Sequence, residues 1–184
     1  MSDIYSKYIK DGIFHSAEMV NDDLFEPIRI LYNKAFYISA CKLLLIAIDS
    51  VAYVEYGDSY ENIFIKWLKE FANLGSLGIS EEELWEHRNS LLHMSNLESR
   101  KVAKGKVRRI AFYAGKKPDC IGELGTELGI YGLYELIQTF GKGIGAWLDS
   151  YSSSQKDWEP FLERYERIVS DGRMVPVVWQ EPKT

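Results

Sequence analysis

The feature that most limits the folds open to this chain is an apolar run within residues 28–56. Ile30, Leu31, Ala35, Phe36, Ile38, Cys41, Leu45, Ile48 and Ala52 recur mostly at spacings of three and four, the repeat of a helix with a buried face. Residues 43–48 are apolar on every side, and a helix with no wet face has to be enclosed by others. Pro27 suits a first turn, where its missing amide costs nothing, and Tyr56-Gly57 marks a C-terminus. Lys42 and Asp49 cut the run into pieces shorter than the roughly 18 apolar residues that a membrane span requires. The spacing therefore predicts one long helix over 28–56, central in a helical domain rather than crossing a membrane.

The remaining segments read as helices joined by turns. Residues 1–26 form an N-terminal extension with one helical turn over Ser16–Val20 and a break at Asn21-Asp22-Asp23. A helix near 59–73 presents Ile63, Phe64, Trp67, Leu68 and Phe71, and a turn-rich link over 73–78 follows. Residues 98–125 lose the helical period; 107–113 predict a short strand and 115–119 a turn. Leu128, Tyr131, Leu133, Tyr134, Leu136, Ile137, Phe140 and Ile144 predict a helix over 126–150, and Trp158, Phe161, Leu162, Tyr165 and Ile168 another over 154–170, with Ser154 and Asp157 as its capping pair. Gly141, Gly143 and Gly145 fit the degenerate pattern G-x-G-x-x-[GA], but with no strand predicted before them they read as close helix packing instead of a dinucleotide loop. The tail over 171–184 holds an apolar stretch at 174–179, which is expected to dock on the domain or on a second copy.

Composition narrows the chemistry. At 184 residues, 46% hydrophobic and 27% charged, the chain suits one domain with a sizeable core. Cys41 and Cys120 form no C-x-x-C pair and read as reduced thiols. Residues 1–7 hold no apolar leader, which predicts a cytoplasmic protein. There is no HExxH, no GxSxG and no Asp/His cluster at ligand spacing, so neither a metal nor a cofactor is expected.

One stretch remains with unusual chemistry. Ser80 stands three residues before Glu83, a capping box that starts a helix, and Glu81 and Glu82 favour the same end. At 100° per residue Leu84, Trp85, Leu91 and Leu92 share an apolar arc with Arg88 near its middle. A guanidinium there needs a carboxylate, and Asp49, alone in the apolar run, is the predicted partner. Asn89 and His93 lie at the arc's edge, in a polar stripe with Glu86 and Asn96. His15 and His87 read as surface residues, and His93 in a purely structural role would be solvated or bonded to a backbone carbonyl.

The pattern Arg-Asn-(three residues)-His, late in a helix of a helical domain, resembles the catalytic motif of the HEPN superfamily, many of whose members are metal-independent ribonucleases; Arg88, Asn89 and His93 match it position by position. The resemblance implies an all-α, up-and-down four-helix bundle over 27–170, with a short basic insertion and a C-terminal helix. It also implies a homodimer in which two motifs form one RNA-cleaving cleft. His93 would move the proton of the RNA 2′-hydroxyl, Arg88 would hold phosphate oxygens, and Asn89 would orient one or the other. The products would be a 2′,3′-cyclic phosphate and a 5′-hydroxyl. A neutralising protein partner, and a setting in toxicity, phage defence or RNA processing, fit the same family.

Charge supports an RNA partner locally. The chain has a formal net charge of −5, yet between residues 88 and 117 nine Lys or Arg stand against one acid, Glu98. Arg100, Lys101, Lys104, Lys106, Arg108 and Arg109 are the candidate RNA contacts, with Phe112 and Tyr113 as possible stacking surfaces. The competing expectation is a non-catalytic, dimeric HEPN-like interaction module, with Arg88 locked to Asp49 and the basic run an ordinary solvated loop.

Overall fold

A helix over Tyr37–Tyr56 (α3) lies against helices on several sides because its residues have almost no polar face to offer water, but it is not enclosed all round as expected, since Ile38 and Ile46 stay exposed. In the computed structural model, which describes residues 3–93, 99–119, 127–154 and 156–170, α3 touches Glu26–Asn33 (α2), Ile63–Phe71 (α4), Glu81–His93 (α5), Leu133–Ser153 (α7) and Trp158–Ser170 (α8). Leu44, Leu45, Ile48, Val51, Ala52 and Val54 of α3 are fully enclosed. Gly57, at φ 65°, takes the chain out of the helix. Among the described residues α3 is the one helix long and apolar enough to cross a membrane, and half of its most apolar window is buried inside the fold.

The single helix expected over 28–56 is two. Ala35 adopts φ 61°, and the amides of Ala35 and Phe36 bond back to Tyr32 O and Leu31 O, each at 2.9 Å. This is the closing turn of a helix end, with alanine in the left-handed position where glycine or asparagine is usual. Upstream, Asn21-Asp22-Asp23 do not interrupt the chain: a short helix over Ser16–Val20 (α1) runs through a π-helical turn, Asn21–Phe25, into α2, with Pro27 in its first turn. Tyr165 Oη donates to Asp23 at 3.0 Å and Tyr8 Oη to Asp22 at 3.4 Å. Residues before 27 therefore belong to the core, which holds Tyr8, Met19 and Val20.

The fold is mostly helical, but it is not all-α. A hairpin of Ile9–Lys10 (β1) with Ile13–Phe14 (β2) lies near the N-terminus. The strand expected at 107–113 is present as Arg109–Tyr113 (β3), and it pairs in parallel with Leu128–Gly132 (β4), from Arg109 opposite Leu128 to Tyr113 opposite Gly132. Residues 128–132 were expected to open the helix over 126–150; instead α7 starts at Leu133. Gly141 and Gly143 behave as packing residues, since a side chain on Gly143 would stand 3.0 Å from the Trp67 indole and 3.1 Å from Phe71 O, and one on Gly141 2.7 Å from the Phe25 ring; Gly145 does not, because nothing lies within 4 Å of where its side chain would stand. Asp157 caps α8 by accepting from Glu159 N at 2.9 Å, whereas Ser154 closes α7. Cys120 and the apolar stretch at 174–179 lie outside the described residues.

Candidate functional site

The capping box forms as its spacing requires. Ser80 N donates to Glu83 Oε2 at 2.7 Å and Glu83 N to Ser80 Oγ at 3.2 Å, which opens α5 and fixes the phase of every residue after it. Arg108 clamps this end, with Nε donating to Glu83 Oε1 at 2.7 Å and Nη2 to Gly78 O at 2.8 Å.

Two turns further on, Arg88 is the hub of a polar cluster. Its Nε donates to Asp49 Oδ2 at 2.7 Å, and its Nη1 lies 3.2 Å from Asn89 Oδ1 and 3.1 Å from His93 Nε2. The guanidinium carbon also sits 5.2 Å from the centre of the Trp85 ring, a cation–π contact. A guanidinium only donates, so the contact with His93 places the ring's lone pair on Nε2 and its proton on Nδ1. The side chains of Arg88 and Asp49 are 20% and 28% exposed, a half-buried pair and not a surface one. Burial raises the Asp49 carboxyl above the ordinary carboxylate value, with the Arg88 hydrogen bond and charge, and then His93, opposing it.

Trp85, Asn89 and His93 of this cluster line an open cleft of about 480 Å³, together with Glu86, Ser99, Arg100 and Lys101. The last two are carried by a short helix, Arg100–Ala103 (α6), whose cap Ser99 accepts from Val102 N at 3.3 Å. Ser99 Oγ also donates to Glu86 Oε2 at 2.5 Å, and Lys101 Nζ lies 3.1 Å from Glu86 Oε1.

The structure thus brings Arg88, Asn89 and His93 together, and places Arg100 and Lys101 in the cleft that Asn89 and His93 line. Lys104 and Lys106 are exposed beyond α6, and Arg109 is exposed at the start of β3. Arg108 is held at the opposite end of α5 by Glu83, about 15 Å of helix away from His93. Phe112 packs on the Tyr131 ring, 6.1 Å between centres, instead of offering an open stacking face.

Two residues of α5 differ from their expected places. His87 is 3% exposed, edge-on to Tyr131, and its Nε2 has no hydrogen-bond partner; burial pushes its pKa down to about 4. Glu86, expected in a polar stripe, is 5% exposed and held by Ser99 and Lys101. Both are covered by segments distant along the chain, β4 for His87 and α6 for Glu86, and helical periodicity carries no signal of that. Trp85 was legible as apolar, but its role as a platform for Arg88 was not. Among the described residues no group of three or more His, Cys, Asp or Glu is arranged to hold a metal ion. No protein-family model, curated protein or solved structure matches this chain.

Proposed function

We propose that this protein is a metal-independent endoribonuclease of the HEPN type, which cleaves RNA by attack of the substrate's own 2′-hydroxyl. The observation that carries this reading is the hydrogen-bonded convergence of Arg88, Asn89 and His93 beside an open cleft. Among the described residues Arg88 Nη2 has no hydrogen-bond partner, which leaves a donor for a phosphate oxygen. A phosphate that draws Nη1 away from His93 releases the Nε2 lone pair to take the 2′-hydroxyl proton. The 2′-oxygen then bonds to phosphorus, the bond from phosphorus to O5′ breaks, and the 5′-oxygen leaves with a proton supplied in a homodimer by the second copy's motif. In this reading α3, α4, α5 and α7 make the up-and-down four-helix bundle, the protein works in the cytoplasm, and RNA and a second copy are its partners.

A second reading, a non-catalytic dimeric interaction module, is favoured by one observation: Arg88 Nε is already committed to Asp49. Incubation of purified protein with mixed RNA in excess chelator separates the two. Cleavage by the native protein is expected, with His93→Ala losing roughly two to four orders of magnitude in rate and keeping its melting temperature. Arg88→Ala is expected to abolish cleavage with little loss of stability. Uncut RNA, together with an Arg88→Ala protein destabilised by about 3–5 kcal/mol, would assign Arg88 to a structural ion pair and the protein to the interaction module.

A further inference from the structure

A buried carboxylate in the wall of a cleft meant for an anion needs an explanation, and Glu86 is such a group. It lies on α5 about two turns before His93, lines the same cleft, and is almost wholly withdrawn from water. Its two oxygens are taken up separately, Oε1 by Lys101 Nζ and Oε2 by Ser99 Oγ. Ser99 is at the same time the cap of α6, accepting from Val102 N. Glu86 therefore fastens the basic α6 to the motif helix and consumes one of its charges. Two further cations of or beside α5 also meet carboxylates: Asp49 accepts from Arg88 Nε, and Glu83 holds Arg108. Among the described residues of the cleft wall, Arg100 is the cation left without a carboxylate partner.

We propose that Glu86 is a positioning residue that sets the charge of the cleft: by holding α6 and neutralising Lys101 it leaves Arg100 as the cleft's uncompensated cation, so that a single-stranded oligonucleotide is gripped through one phosphate or two. This rests on the reading of the cleft as an RNA site, and it limits that site to a short stretch of backbone instead of a coating surface. The basic run, conspicuous in the sequence, contributes little of its charge to the ligand.

Counterion release makes this measurable, since each phosphate neutralised on a single strand contributes about −0.7 to the slope of log K against log salt. The ligand is a DNA strand of ~12 nucleotides, which lacks the 2′-hydroxyl and cannot be cleaved by this chemistry; binding is followed by amide chemical shifts up to millimolar DNA. For the native chain a slope between about −0.7 and −1.4 is expected. Arg100→Gln should flatten it by about 0.7, and Glu86→Gln, whose amide oxygen still accepts from Ser99, should steepen it by about 0.7 and tighten binding at low salt. A purely structural Glu86 would change the melting temperature and leave the slope alone. The proposal is overturned by a native slope steeper than about −2, by no measurable binding, or by a Glu86→Gln slope equal to the native one. Chelator-resistant cleavage with a steep slope would sink this inference and keep the nuclease; a shallow slope without cleavage would do the reverse.

Discussion

Asp49 and Glu55 sit less than two turns apart on α3, and the helix uses them in opposite ways. Glu55, with a side chain 9% exposed, receives Trp147 Nε1 and Tyr151 Oη on one oxygen, each at 2.8 Å, and Lys156 Nζ on the other at 2.7 Å. Burial alone would raise its carboxyl, but the bonds from Lys156, Trp147 and Tyr151 together with the Lys156 charge outweigh it and hold the group below the usual value. Arg164 adds bonds from Nη1 to the backbone oxygens of Val54 and Glu55, at 3.0 and 2.8 Å. Asp49 has a single guanidinium, more water, and a carboxyl held above its usual value by burial. Donor number, more than burial, decides the sign. A carboxylate with several donors acts as a rivet between α3, α7 and the segment that leads into α8, whereas one with a single donor group leaves part of its arginine available to something else.

The contrast breaks most readily through stability. Glu55→Ala strands three donors and is expected to cost about 3–5 kcal/mol in a denaturant titration, far more than Arg88→Ala at the other pair. Equal losses at the two sites would erase the distinction between rivet and candidate site.

The pH dependence sharpens it, because the two signs are opposed. Glu55 titrates lower in the folded protein than its ordinary 4.5, so its contribution is present above that value and lost as pH falls through the folded value. Asp49 titrates higher than its ordinary 3.8, so its contribution is present below that value and lost as pH rises through the folded one. Melting curves across the acid range should therefore show Glu55→Gln removing part of the acid sensitivity of the native protein. Asp49→Asn should gain on the native protein as pH rises above 3.8. Parallel pH profiles for the two variants would contradict both assignments.

The smallest expected effect is at Tyr151. Tyr151→Phe removes one of the donors to Glu55 and keeps the ring that packs on Trp158 and Phe161, so a loss of about 1 kcal/mol is expected, measurable as a modest drop in melting temperature. A loss as large as that of Glu55→Ala would mean that the rivet depends on the hydroxyl alone.

The candidate site is largely legible in the sequence, because its pieces follow from local rules. Ser80 and Glu83 cap α5, and once the phase is set, Arg88, Asn89 and His93 must share a seam. Asp49 was identifiable as the partner of Arg88 since it is the one acid within the apolar stretch 43–54. The surroundings were harder to read. Six basic residues look alike along the chain, and only the fold separates Arg108, clamped on Glu83, and Lys101, held by Glu86, from Arg100.

By itself the sequence determined what periodicity, capping and composition encode within a few turns of chain: a central apolar helix, the start of the motif helix, the strand after the basic run and close packing at Gly141 and Gly143. Tertiary structure decided what depends on segments far apart. Residues 128–132 are a strand because β3 supplies the hydrogen-bonding edge beside them, and alone they fit a helix equally well. The helix over 28–56 ends early because Ala35 accepts a left-handed backbone, a strain of about 1–2 kcal/mol that packing on both sides has to outweigh and that no local residue preference announces. His87 and Glu86 are buried for the same reason: β4 and α6 close over them, and long-range contacts of that kind leave no period in the chain.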